Sequence, residues 1–209
     1  MDAFRLNHYD LNQRLPHVNA YIDFTLPDDS FRAGIIELSA DSALPIDSRL
    51  RHEFYVLKGQ LVDGERVYRQ GTFLNIDMPS DRKDMPSVRA GALGVVLFAY
   101  RDHLEIFREN KVISPDQLKW VSGGAKGMQV AILAQSPHRL MFVSWQPGTR
   151  MRFHRHPHGE EIFVLKGNLM DENGTYRAGS WQRLYPDSGH APYAEEETLI
   201  LLRNGHLHN

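Results

Sequence analysis

The sequence predicts an all-β fold in which one unit of short strands occurs twice. Short runs of β-branched and aromatic residues alternate with Gly, Pro, Asn and Asp, the pattern of strands and turns. Segments with helical periodicity are scarce. The segment EFYVLKGQLVDGERVYRQGTF, which begins at Glu53, returns without a gap as EIFVLKGNLMDENGTYRAGSW, which begins at Glu161. Many short strands at regular spacing are typical of a β-sandwich or a small β-barrel.

The apolar runs define the predicted elements in chain order. The predicted strands are residues 31–38, 53–57, 92–100, 139–145, 161–165 and 198–202. Turn signals at 63–65 (DGE) and 171–174 (DENG) separate strands within each repeat. The best helical segment is 114–121, where Ser114 is placed to cap a helix and Pro115 to occupy its first position.

The repeat divides the chain into two domains, which we expect at residues 1–115 and 116–209. The segment SGGAKG at 122–127 is interpreted as a flexible connector near their boundary. The composition is that of a soluble globular protein, with 42% hydrophobic residues and a net charge of −2. There is no leader pattern, membrane-length apolar run or basic cluster. We therefore expect a cytoplasmic protein that binds neither membranes nor nucleic acid directly.

A histidine-rich stretch, RFHRHPHGEE, occupies residues 152–161. Residues two apart in a strand point to the same side, so His154 and His156 are expected to face one way together. Cysteine is absent, so any metal must be bound by His, Asp or Glu. By itself the stretch is equally consistent with a solvated polar turn, and His158, between Pro157 and Gly159, is interpreted as an exposed turn residue.

Two further residues extend this stretch into a donor set. Glu160 shares a strand face with Ile162 and Val164, and a carboxylate that faces a core is costly unless it is paired or bound to a cation. His190 lies in a turn that enters the last strand. Three imidazoles and one carboxylate would suit a divalent metal. The remaining histidines are interpreted as structural or solvated: His8, His17, His103 and His138, with His206 and His208 in a surface turn.

These residues resemble the first sequence motif of the cupin family, G-x5-H-x-H-x3-E-x6-G. The motif is met at Gly148, His154, His156, Glu160 and Gly167. The second motif runs from Gly179 to His190, with Asp187 at a position where cupins usually have glycine. The second repeat is most similar to the ChrR-like cupins, whose relatives include a zinc-bearing anti-sigma factor and dioxygenases that cleave carbon–carbon bonds.

The resemblance implies two tandem cupin β-barrels of jelly-roll type, a bicupin, with one divalent metal per chain in the C-terminal barrel. The implied metal ligands are His154, His156, Glu160 and His190. Zinc is the first candidate, and iron, nickel and manganese are the alternatives. Because binding needs neutral imidazoles, we expect the metal affinity to fall as the pH drops through about 6.5.

The first repeat has lost these ligands. When Glu53 is aligned with Glu161, the positions of His154, His156 and Glu160 fall on Ile46, Ser48 and His52. A single imidazole does not make a metal site, so we expect an N-terminal barrel without metal. Two roles for this barrel stay open: a structural cover for the other barrel, or a pocket in which Arg49 and Arg51 bind an anionic ligand.

Two functions follow from the resemblance, and the sequence leaves catalytic residues unassigned. The first is a regulatory role in which the metal domain senses a small molecule or an oxidant. The second is a non-haem dioxygenase that cleaves a dicarbonyl or hydroxyketone. Both need a small-molecule ligand, and a homodimer is one assembly considered. The expected pocket walls are Met141, Val143, Trp145, Ile162 and Val164, with Trp181 as a further candidate.

Overall fold

The computed structural model describes residues 4–27, 29–47, 50–77, 88–103, 110–135 and 138–207. These residues form β-strands and a single 3₁₀ turn at Pro115–Gln117, which confirms the predicted all-β class. The first strands are β1 (Phe4–His8), β2 (Ala20–Asp23), β3 (Phe31–Leu38), β4 (Leu50–Asp63), β5 (Arg66–Arg69), β6 (Phe73–Asp77), β7 (Arg89–His103) and β8 (Lys111–Ile113). The remaining strands are β9 (Val121–Ser122), β10 (Met128–Ala134), β11 (Arg139–Trp145), β12 (His154–Arg155), β13 (Glu160–Lys166), β14 (Asn168–Asp171), β15 (Gly174–Arg177), β16 (Ser180–Leu184), β17 (Gly189–His190) and β18 (Thr198–Asn204). Within this described part, no helix has the length and apolar character that a membrane span requires.

The chain forms two compact units. The N-terminal unit is Asn12–Gln117, and the C-terminal unit is Leu118–Asn209 together with Met1–Leu11. The predicted division placed the first stretch of chain, up to Leu11, in the N-terminal domain. The structure places it in the other unit because β1 pairs with β16 along its whole length, from Phe4 opposite Leu184 to His8 opposite Ser180.

The main sheets of the two units follow the same strand order. In the N-terminal unit the order is β2-β3-β7-β4-β6-β8, with β5 paired to β4. In the C-terminal unit it is β10-β11-β18-β13-β16-β1, with β9 added beside β10. The two repeated segments therefore hold corresponding central strands, since β4 lies between β6 and β7 and β13 lies between β16 and β18.

Glycines of the repeat adopt matching backbone conformations. Gly59 and Gly167 have φ of 76° and 71°, and Gly71 and Gly179 have φ of 89° and 92°. L-residues with a side chain rarely adopt this left-handed region. Gly179 is also needed for space, because a Cβ there would clash with the carbonyl oxygen of Tyr9, just after β1.

The strand predictions agree with the structure, whereas two connecting segments differ. Predicted strands 31–38 and 139–145 coincide with β3 and β11. The predicted helix at 114–121 is only one 3₁₀ turn, closed by a hydrogen bond from the Gln117 N–H to the Ser114 carbonyl at 3.0 Å. The predicted connector 122–127 is instead the turn between β9 and β10, inside the C-terminal unit.

Strand alternation gives the C-terminal unit an apolar interior. Ile162 and Val164, two apart on β13, are 1% and 0% exposed and belong to one buried cluster. Val143 and Trp145 on β11 and Ile200 on β18 belong to the same cluster. Glu160 continues the inward face of β13 at its first residue, which brings a carboxylate to the edge of this core.

Candidate metal centre

Two short strands bring distant histidines together. His154 in β12 is the direct antiparallel partner of His190 in β17. His156 lies just after β12 and is buried, whereas the intervening Arg155 is exposed. The expected alternation of these residues therefore appears in the structure, and β13 adds Glu160 beside them.

The three imidazoles form a compact group. The ring centroids of His154 and His156 lie 4.8 Å apart, and each lies 5.1 Å from that of His190. One nitrogen from each ring lies within 4.8 Å of the others, so the three histidines could hold a metal ion. The Glu160 carboxylate lies beside them, with Oε2 at 3.5 Å from His156 Nδ1 and Oε1 at 3.7 Å from His190 Nε2.

Hydrogen bonds orient two of the three rings. His154 Nδ1 lies 3.0 Å from the Arg152 carbonyl oxygen, and His190 Nδ1 lies 3.1 Å from Asp171 Oδ2. A carbonyl or carboxylate oxygen can only accept, so each Nδ1 donates, and in a neutral imidazole Nε2 then carries the lone pair. Histidine ligands of metals commonly use this arrangement, in which the second nitrogen donates to an oxygen and fixes the ring.

A tyrosine supports the aspartate that orients His190. The Tyr176 hydroxyl donates to Asp171 Oδ1 at 2.9 Å, and the Asn173 N–H donates to the same oxygen at 2.7 Å. Burial by itself would raise the pKa of Asp171. These hydrogen bonds, together with the one from His190, outweigh burial and hold this pKa below its ordinary value. Asp171 therefore stays an acceptor for the imidazole near neutral pH.

The unsatisfied atoms of the group fit a bound cation. Among the described residues, the buried Nε2 atoms of His156 and His190 have no hydrogen-bond partner. Burial raises the pKa of Glu160 to about 8. Burial, together with repulsion from His190 and His154, lowers the pKa of His156 to about 3. A divalent cation would favour ionised Glu160 and use the neutral imidazole lone pairs, so the residues present fit such a metal.

An apolar cavity of about 560 Å³ reaches the donor group. Of the predicted walls, Met141, Val143, Trp145 and Ile162 line it. Val164 and Trp181 do not. Val164 packs deeper in the core, while Trp181 is fully buried with its ring 5.5 Å from the Arg183 guanidinium.

Asp171 and Tyr176 are not among the site residues that the sequence predicts. Asp171 was assigned to a turn, but it ends β14 and is 7% exposed. Leu169, two residues earlier, is 1% exposed, so alternation along a strand that reaches into the turn is the signal that could have found Asp171. The contact with His190 depends on tertiary structure and has no local signal.

His206 is the clearest departure among the other histidines. It was expected in a surface turn, but it is 0% exposed and its Nε2 lies 3.5 Å from Glu161 Oε2. Glu161 also accepts from Arg183 Nε at 2.6 Å. Burial by itself would raise the pKa of Glu161. Nearby positive charges, of which Arg183 contributes most, outweigh burial and lower this pKa to about 2. This buried ion cluster explains why a histidine near the end of the chain is enclosed.

The remaining histidines vary in environment. His158 and His17 are exposed, in line with their interpretation. His138 Nδ1 lies 3.0 Å from the Gly205 carbonyl oxygen, and Arg177 Nε donates to His8 Nε2 at 3.2 Å. His208 and the side chain of His103 lie outside the described residues.

Asp187, where the cupin motif usually has glycine, adopts a left-handed backbone conformation. Its φ is 65°, in the left-handed region that Asp tolerates better than most residues with a side chain. The turn that contains Asp187 leads into β17, which carries His190. The substitution therefore preserves the turn that presents the last histidine.

The corresponding positions of the N-terminal unit are filled differently. Ile46 packs against an apolar core cluster. His52, at the position of Glu160, is 0% exposed, and its ring stacks on Phe54 with centroids 5.6 Å apart. Burial lowers the pKa of His52. Ser48 and Arg49 lie outside the described residues. Arg51 is buried and forms an ion pair with Asp102, with 3.4 Å between its Nη1 and the Asp102 Oδ2.

Residues 108–208, just under half of the chain, match the family described as the ChrR cupin-like domain. No curated protein matches the chain in sequence. Solved structures resemble it over nearly its whole length. A proposed glyoxylate-induced protein from Pseudomonas aeruginosa is 16% identical with a TM-score of 0.75, covering 100% of this chain and 92% of that one.

Two further structures have the same fold. A proposed dioxygenase from Nostoc punctiforme is 12% identical with a TM-score of 0.76, covering 99% of this chain and 84% of that one. A cupin 2 conserved barrel domain protein from Leptotrichia buccalis is 16% identical with a TM-score of 0.61, covering 92% and 90%. At these identities the likeness shows the fold alone. The family match and the cupin-type fold together support a cupin family for this chain.

Proposed function

We propose that the chain is a bicupin whose C-terminal unit binds one divalent metal through His154, His156, Glu160 and His190. The observation that carries the proposal is the group of three mutually close imidazoles and one buried carboxylate at an apolar cavity. The tandem architecture is supported by the repeat and by the shared strand order of the two units. Zinc is the first candidate, and iron, nickel and manganese are the alternatives.

The proposed role is regulatory: the metal unit senses a small molecule or an oxidant that enters the cavity. The match of residues 108–208 to the ChrR cupin-like domain supports this role. The apolar walls would hold the ligand body, and Glu160 and the imidazoles would define where its polar atoms lie.

A metal-dependent dioxygenase is the second candidate, and the likeness of the fold to a proposed dioxygenase from Nostoc punctiforme supports it. A volume of about 560 Å³ accommodates a small dicarbonyl or hydroxyketone next to the donor group. When bound, a divalent metal would supply Lewis acidity toward such oxygens. This chain's own contribution would be orientation of the substrate by apolar walls and exclusion of water.

Metal analysis of purified variants tests the metal site. His156→Ala should lose most of the metal, whereas His158→Ala should retain it, because His156 is buried in the imidazole group and His158 is exposed. Both substitutions remove one imidazole from the same turn, so the pair is matched. Equal loss of metal in the two variants would contradict the proposed ligand set.

Oxygen consumption separates the two roles. Protein loaded with iron or zinc is mixed with acetylacetone, and both oxygen uptake and loss of the diketone are followed. Stoichiometric loss of both, abolished in His156→Ala, would establish the dioxygenase. Saturable binding of the diketone without turnover would support the sensing role instead.

A further inference from the structure

The N-terminal unit keeps a cavity at the place that corresponds to the metal cavity. In the alignment of the two repeats, His52 takes the position of Glu160. On the neighbouring strand His52 pairs with Arg101, as Glu160 pairs with Asn204. Arg101 therefore occupies in the N-terminal unit the position that Asn204 occupies at the wall of the metal cavity.

The same register identifies the opposite wall. Ile36 is opposite Leu97 in β7, and Val143 is opposite Ile200, the corresponding residue of β18. The next strand places Tyr21 opposite Ile36 and Val130 opposite Val143. Tyr21, Ile36 and Arg101 thus correspond to Val130, Val143 and Asn204, and both sets line a cavity of their own unit.

The second cavity has a volume of about 390 Å³, and among the described residues its lining combines apolar walls with one cationic side chain. Ile36 and Leu38 supply the walls, and Ala43 and Pro45 lie at its exposed side. Glu37 also borders it, but strand alternation turns this side chain to the other face of β3 from Ile36 and Leu38.

Arg101 supplies the positive charge of this cavity. Its guanidinium lies over the Tyr21 ring, 4.0 Å from the centroid, and the residue is only half-exposed. Within the described part of the chain, no carboxylate forms an ion pair with Arg101. Stacking on an aromatic ring fixes the guanidinium plane and leaves N–H groups available to an anion.

We propose that this cavity binds a small organic carboxylate. The Arg101 guanidinium would bind the carboxylate through charge-assisted hydrogen bonds, while the walls formed by Ile36 and Leu38 enclose an apolar body. The metal centre of the other unit is not needed for this binding. The chain therefore has a second, metal-independent ligand site, which recognises an anion by an arginine.

Binding of hexanoate to the full-length protein tests the proposal, with hexanamide as the neutral probe of the same shape. Titrations are followed by saturation-transfer NMR after metal removal and again in the His156→Ala variant, which excludes binding through the metal. We expect hexanoate to bind in both and hexanamide to bind at least about tenfold more weakly, because a charge-assisted bond is lost.

Variants of the cavity locate the binding. Arg101→Gln should weaken hexanoate binding about tenfold or more, and the matched Arg66→Gln on the exposed surface of β5 should not change it. Ala43→Trp, at an exposed position of the lining, should block binding without removing a core residue. The proposal is overturned if hexanoate does not bind the wild type or binds it no more tightly than hexanamide. It is also overturned if hexanoate binding survives Arg101→Gln or requires His156.

Discussion

At the scale of single residues, the candidate site depends on what holds the imidazoles as much as on the imidazoles themselves. The Asp171 carboxylate fixes the His190 ring, and the Tyr176 hydroxyl in turn fixes the carboxylate. Both Asp171 and Tyr176 are largely buried, so solvent does not compete strongly for these bonds. Partners of this kind typically contribute about 10- to 100-fold in metal affinity.

Asp171→Asn should weaken zinc binding by about tenfold or more, because the hydrogen bond that orients the His190 ring loses its charged acceptor. Competition with a chromophoric chelator measures the affinity. Asp63→Asn is the matched control, since Asp63 is the equivalent aspartate of the first repeat. Unchanged zinc affinity in Asp171→Asn would show that the aspartate serves only the stability of the hairpin.

At the scale of elements, β1 determines the edge of the C-terminal sheet. It covers β16, whose other neighbour is β13, the strand that begins with Glu160. By strand register, Leu6 of β1, opposite Gln182, corresponds to Val112 of β8, opposite Leu74, and β8 likewise pairs with β6 at the end of its sheet. An uncovered strand exposes a row of unpaired backbone groups, so β1 protects this edge.

Deleting residues 1–11 should therefore destabilise the C-terminal unit and expose β16. We expect faster hydrogen exchange at the amides of 180–184 and a lower melting temperature, because the backbone bonds of β1 are lost. Deletion of residues 1–3, which precede β1, is the control. If both deletions leave exchange in β16 unaltered, the edge is not stabilised by this strand.

At the scale of the whole molecule, two units with one strand order have diverged in chemistry. Where the C-terminal unit has Glu160 and Asn204, the N-terminal unit has His52 and Arg101. A carboxylate suits a metal cation, whereas an arginine suits an anion. Under the two proposals, the same fold binds a cation in one cavity and an anion in the other.

We expect one equivalent of zinc per chain, bound by the C-terminal unit. Saturating zinc should raise the melting temperature of the wild type, because a ligand that binds only the folded state stabilises it. It should leave the His190→Ala variant unaffected. Elemental analysis that finds a second equivalent, retained in His190→Ala, would contradict this expectation.

Much of the fold was predictable because strands depend on local patterns. The alternation in β3 and β11 and the turn residues of the repeat are properties of short segments. The helix predicted at 114–121 is a single turn at Pro115–Gln117, since none of these three residues is buried and the chain enters β9 at Val121, so no tertiary packing extends the helix. The site was partly predictable because His154, His156 and Glu160 lie close together in sequence.

The sequence by itself determined the all-β class, the repeat and the candidate donor residues, since these follow from composition, period and spacing. Only the tertiary structure decided that β1 joins the C-terminal sheet, that Asp171 orients His190, and that Arg101 faces a cavity beside Tyr21. Each of these contacts joins segments far apart in the chain. Their register is set by the cooperative pairing of whole strands, which no local pattern records.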